Sequence, residues 1–240
     1  MTVSLLKIPL LLGVATIHHI AFKPPNKTPS SKELSSSGGW ESVIRGLLPF
    51  LTLFRSVIWV VTLSEVTVIL AQQYPSSPIA RQIMSSLIRR ETSSASSITL
   101  TEPFCVGFLL AVSSGLLRYW CFRQLGQFFT FQLSIRRDHR LITQGPYSIV
   151  RHPSYTSALI CASGVYIALL SRGSWLRESG VLDYRIVQVA LVVCGILRGA
   201  SHVGLVFRTV GEDAMLRKNF GTEWDEWARR VRYRLVPGVY

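Results

Sequence analysis

Five apolar runs, each close to the length of a bilayer crossing, leave this chain few ways to fold. They fall at about Val3–Phe22, Leu47–Ala71, Phe104–Phe122, Tyr155–Ser171 and Ile186–Phe207. A helical span takes about 20 such residues. Lipid offers the backbone no hydrogen-bond partners, so each run is expected to be a helix that satisfies its own N–H and C=O groups. The expected fold is therefore an all-α polytopic membrane protein of about five transmembrane helices. Composition agrees, with 16% of residues charged against the roughly 25% usual in soluble domains. The first run resembles a signal peptide in place and length. However, His18, His19 and Ile20 stand where a cleavage site needs small residues, so a retained anchor is expected.

The connections between the runs differ in character. Lys23–Arg45 is a Pro/Ser/Gly-rich linker, and Gln72–Pro103 is Ser-rich with a short helix expected around Ile79–Arg90. The turn Arg172–Arg185 is short enough to make the fourth and fifth spans an antiparallel hairpin. Arg123–Arg151 and Arg208–Tyr240 are polar, basic and rich in motif-like residues. This divides the chain into an N-terminal part, 1–122, and a part carrying the chemistry, 123–240.

The net charge is +13. In a soluble protein that would suggest nucleic acid, but here the cations collect between apolar runs, so lipid headgroups are expected as partners and nucleic acid is not. With five spans, the linker after span one, the loop after span three and the tail share one side and hold 16 basic residues, Lys32 among them. The other side holds seven, Arg90 among them. The positive-inside rule turns the richer side toward the cytosol. Arg55, Arg118, Arg198 and Glu65 lie inside or near spans. Such charges form internal ion pairs, snorkel, or line a ligand cavity. Cys105, Cys121, Cys161 and Cys194 form no CxxC pair, and neither a metal site nor a disulfide framework is expected.

Two clusters carry chemistry. The first is GPYSIVRHPSY, Gly145–Tyr155. Gly145-Pro146 makes a turn, and Pro153 suits the first turn of the fourth span, whose N-terminal amides are placed to meet a ligand carboxylate. His152, Tyr147 and Tyr155 add donors and aromatic faces, although Tyr, Arg and His also cap ordinary spans. The second is the tail. Arg208 and Glu212 are four apart and share a helix face. They are followed by an amphipathic stretch, Ala214–Val231, with Met215, Leu216, Phe220, Trp224, Trp227 and Val231 on its apolar side. That stretch is expected as a C-terminal amphipathic cytosolic helix, lying on the membrane or packed on the bundle.

GPY-x3-RHPxY, followed after two apolar runs by R-x3-ED-x6-FG-x2-W-x2-W, resembles the isoprenylcysteine carboxyl methyltransferase family, in a fungal-type form. The resemblance runs from about Gly126 to Tyr240. It implies methyl transfer from S-adenosylmethionine to the carboxylate of a prenylated cysteine, on CaaX-processed protein C-termini at the endoplasmic reticulum membrane. By resemblance, cofactor contacts fall on Gln132, on His139, Arg140, Leu141 and Ile142, on Tyr147, and on His152, Pro153, Ser154 and Tyr155. Glu212 is implied to meet the cofactor's charged amino-acid end and Arg208 to hold the substrate carboxylate. Asp213 stands where a second Glu is common, Trp224 and Trp227 where tyrosines are common, and Thr156 and Ser157 where many members have Gly. These departures bear on lipid-side preference.

A carboxylate is already ionised at neutral pH, so such a transfer needs no general base, and the chain offers no convincing Ser/His/Asp or Cys/His constellation. There is no GxGxxG after a strand, which excludes the soluble Rossmann-type methyltransferase fold. Two other readings stay open. One is a phospholipid or small-molecule methyltransferase of the same membrane superfamily, for which Arg208 would be redundant. The other is a non-catalytic membrane protein.

Overall fold

The computed structural model describes residues 2–30, 33–34, 39–89 and 97–240. Lys32 and Arg90 of the charge count, and parts of the linker and of the Ser-rich loop, lie outside the described residues. Among the described residues, five helices are long and apolar enough to cross a membrane. In chain order they are α1 (Thr2–Phe22), α2 (Trp40–Ala71), α4 (Glu102–Leu125), α5 (Pro153–Leu170) and α7 (Arg185–Phe220). Shorter helices are α3 (Pro78–Leu87), α6 (Trp175–Glu178) within the hairpin turn, and α8 (Thr222–Arg230). No strand occurs among the described residues; a single bridge joins Leu34 and Ser134. The protein is an all-α polytopic membrane protein.

Two helices outrun their apolar stretch. α2 starts at Trp40, after Gly39 at φ 67°, seven residues before the run read from the sequence. α7 continues through the polar segment to Phe220, so Arg208 and Glu212 sit on an unbroken extension of the fifth span. Hydrophobicity located the bilayer-facing part of each helix, whereas hydrogen-bond propagation carries a helix onward until something stops it. For α7 the stop is Gly221, at φ 55°, whose N–H bonds Arg217 C=O at 2.9 Å. The single amphipathic helix expected over Ala214–Val231 is therefore split at Gly221, and only α8 is a separate element.

The chain divides into two compact units. One comprises Met1–Ile20, Thr52–Ser113 and Ile160–Gly195. Its core includes Leu11, Val14, Ile58, Val68, Phe104 and Val165. α4 and α5 approach so closely here that a Cβ on Gly107 would lie 2.5 Å from Ala168 N, and one on Gly164 would lie 2.5 Å from Ala111 N. Gly107/Ala111 and Gly164/Ala168 thus form a small-residue seam on each helix, the usual device for close packing in lipid. Gly107→Leu is expected to force the helices apart and cost about 1–3 kcal/mol or more, read as a lower thermal midpoint of the detergent-solubilised protein; an unchanged midpoint would contradict the seam. Lys7 and Glu65, both fully buried, pair at 2.6 Å in this unit. Glu65, one of the span charges, is therefore an internal ion pair.

The other unit comprises Ala21–Leu51, Ser114–Leu159 and Ile196–Tyr240. α8 buries Trp224 and Trp227 against Tyr147, Cys121 and Val231, so its apolar face packs on protein. The tail is tied down by backbone bonds from Arg151 N–H to Tyr233 C=O (2.9 Å) and from His152 N–H to Arg234 C=O (2.8 Å).

Candidate active site

The second unit contains a cavity that is open on one side. Three stretches build it: the loop after α4, the segment leading into α5, and the α7 extension. Of the residues singled out from the sequence, Gln132, His139, Arg140, Leu141, Ile142, Tyr147, His152, Ser154, Tyr155, Arg208 and Glu212 all line it. Pro153 does not; it is buried at the start of α5 and fixes the turn that presents its neighbours.

Glu212 accepts from the Tyr155 hydroxyl, and His152 Nδ1 lies 3.8 Å from it. The other face of His152 meets Asp213, Nε2 to Oδ1 at 3.0 Å. Asp213 also receives Arg234 Nε at 2.8 Å and lies 3.1 Å from Arg151 Nη1. Asp213 is thus a buried anchor for the tail and for the RHP segment, while Glu212, one residue earlier, faces the cavity. The α5 amides are less free than the sequence suggested. His152 N–H is taken by the tail, and Tyr155 N–H bonds His152 C=O at 3.0 Å.

Arg208 is almost fully buried. Its Nη1 donates to Phe131 C=O at 2.7 Å and lies 3.3 Å from Glu41 Oε2, while Nε has no hydrogen-bond partner. Gln132 Oε1 is likewise buried and unpaired. His139 stacks on Phe128, ring centroids 4.7 Å apart. Burial chiefly pushes its pKa below the ordinary imidazole value, Glu212 opposing and Arg136 assisting. Burial likewise holds the Tyr147 phenol well above its usual value, so it stays a neutral donor.

Phe128, Met215, Leu216 and Trp227 are cavity residues that the sequence reading did not single out as site residues. Trp227 donates Nε1–H to Tyr147 C=O at 3.1 Å, locking α8 to the GPY turn.

A second cavity shares Phe129, Thr130 and Tyr155 with the first. Its other walls include Ile44, Leu47, Leu48 and Leu51 of α2 and Leu205 of α7. Arg118 borders it but is held by Ala21 C=O at 2.7 Å and by Ser154 C=O and Oγ at 2.5 and 2.8 Å. Arg198 lies over the Phe22 ring at 4.9 Å and lines the same cavity with His202. Two of the intramembrane cations are therefore cavity lining. Arg55 instead donates to Thr52 Oγ1 at 3.0 Å. Among the described residues no cluster of three His, Cys, Asp or Glu side chains is arranged to hold a metal, and all four cysteines are free.

The second unit thus holds two adjoining cavities, one mainly apolar and one more polar with the Arg208 guanidinium in its wall. Residues 106–175 match the isoprenylcysteine carboxyl methyltransferase family. The chain is 29% identical over 132 residues to protein-S-isoprenylcysteine O-methyltransferase B of Arabidopsis thaliana, covering 52% of this chain and 55% of the relative. A probable protein-S-isoprenylcysteine O-methyltransferase of Oryza sativa subsp. indica is 29% identical over 128 residues, 52% of this chain and 57% of the relative. A Delta(14)-sterol reductase of Neurospora crassa is 25% identical over 138 residues, 45% of this chain and 25% of the relative. The chain spans little more than half the length of the two methyltransferases. No solved structure matches.

Proposed function

We propose that the chain methylates the C-terminal carboxylate of S-isoprenylcysteine on prenylated, CaaX-processed proteins, with S-adenosylmethionine as donor. The observation that carries this is Arg208, buried in the wall of a polar cavity that shares three residues with an apolar one. The polar cavity fits the donor's chemistry. Glu212 offers a carboxylate to an ammonium group, Gln132 Oε1 is a buried acceptor without a partner, and Phe128, Leu141 and Trp227 supply apolar faces for a purine.

Bound there, the donor would supply an electrophilic methyl group on a sulfonium. The chain's own contribution is positioning and exclusion of water, which together supply several kcal/mol. Arg208 holds the acceptor carboxylate, whose ionisation at neutral pH makes a base unnecessary. Tyr155, common to both cavities, separates the lipid-like from the polar ligand. The isoprenyl chain occupies the second cavity, reached from the bilayer. We further propose that the protein works in the endoplasmic reticulum membrane with tail and site toward the cytosol, the side the basic loops favour.

Membranes containing the chain, labelled S-adenosylmethionine and farnesylated cysteine are expected to yield a base-labile methyl ester. Label in phospholipid instead would point to a lipid methyltransferase, and no label with folded protein to a non-catalytic one. Glu212→Ala is expected to weaken cofactor binding by at least about 100-fold, because it removes the charge partner of a partly desolvated ammonium. Near-normal cofactor affinity in that variant would refute the role given to Glu212.

A further inference from the structure

Glu41 lies in the first turn of α2, in a stretch the sequence reading left to the linker. Its side chain is 2% exposed. Oε1 accepts from Leu133 N–H at 2.9 Å and from Arg45 Nε at 3.0 Å, which fixes the carboxylate independently of Arg208. Oε2 lies 3.3 Å from Arg208 Nη1 as an ion pair without a hydrogen bond, and the same Nη1 donates to Phe131 C=O at 2.7 Å. One corner of the guanidinium is thereby used up, and the buried Nε remains without a partner.

We infer that Glu41 is a positioning residue for Arg208, restricting the acceptor carboxylate to the Nε edge of the guanidinium and leaving it only partly neutralised. This rests on the reading of Arg208 as carboxylate holder. An Arg free of a counter-ion in so dry a place would set its full charge against the carboxylate and drain the charge that must attack the methyl group. With Glu41 in place the pair Glu41–Arg208 is close to neutral. The acceptor is then aimed by one donor edge and keeps more of its nucleophilicity. Glu41 also holds the backbone of Leu133, next to Gln132, so one carboxylate sets both the guanidinium and the loop beside it.

The test uses the full-length chain in membranes, farnesylated cysteine as acceptor and labelled S-adenosylmethionine. Glu41→Gln keeps an acceptor for Leu133 N–H but removes the charge. Cofactor affinity should stay close to wild type, while KM for the acceptor and kcat should each fall by about tenfold, as for loss of a feature that weakens ground-state binding. Glu41→Asp, which keeps the charge one methylene further away, should lie between wild type and Glu41→Gln in both constants. A purely structural role lowers kcat through lost protein and leaves KM alone. An unchanged or raised KM in either variant, with ester formed by the wild type, overturns this inference alone. No ester from the wild type overturns the methyl-transfer reading and this inference with it.

Discussion

Arg208→Ala is expected to bind S-adenosylmethionine close to normally and to lose turnover on prenylcysteine by about 10²–10³-fold, the loss typical when one preorganised donor is removed from a dry site. The fold should survive. Glu41 keeps Arg45 and Leu133 N–H as partners, and the Asp213 anchor with His152, Arg151 and Arg234 is untouched. Cofactor binding by the variant is therefore the check that the cavity still forms. Arg208→Lys restores the charge without the planar fork, and is expected to recover only a fraction of the lost rate, since a point charge aims a carboxylate poorly. The measurement is initial rate of ester formation at saturating cofactor, beside binding of labelled cofactor to the same membranes. A kcat within a few-fold of wild type would remove Arg208 from the mechanism and favour an amine acceptor.

The span order and the pairing of the two motif clusters were legible because each rests on a local rule. Apolar length marks a span, and Gly-Pro, His-Pro and an i,i+4 Arg/Glu pair announce their own geometry. Gln132, His139, Tyr147, Tyr155, Arg208 and Glu212 were accordingly found in one cavity. What stayed hidden depends on contacts between distant segments. Glu41 falls by composition in the linker Lys23–Arg45, and only folding brings it beside Arg208, 167 positions later. The two acidic neighbours Glu212 and Asp213 are indistinguishable in sequence, yet a step of one residue around α7 turns the first to the cavity and the second to Arg151, His152 and Arg234. Trp227 reads as the apolar side of a helix that lies on the membrane or packs on protein, and it packs on protein beside the cavity. Lys7 is one of the seven cations on the side opposite the tail by the charge pattern, and only the structure shows its burial.

That burial makes the Lys7–Glu65 pair the place where stability is most exposed to a single change. Lys7 Nζ lies 2.6 Å from Glu65 Oε1, donates to Gly173 C=O at 2.8 Å and sits 4.7 Å from the Phe104 ring centroid. Glu65 Oε2 accepts from Trp175 N–H at 3.0 Å. The two side chains join α1 and α2 to the turn ahead of α7, and both are fully buried. Removing one partner leaves the other's charge without compensation, so Lys7→Met is expected to destabilise by about 3–5 kcal/mol. Glu65→Gln should cost less, because its amide oxygen still accepts from Trp175 and Lys7 keeps Gly173. The combined Lys7→Met/Glu65→Gln protein should regain much of what Lys7→Met loses, since no net charge is then left buried. Thermal unfolding of the four proteins in one detergent checks this as a double-mutant cycle. A double variant no more stable than Lys7→Met would mean that the hydrogen bonds to Gly173 and Trp175, rather than charge neutrality, hold this part of the bundle together.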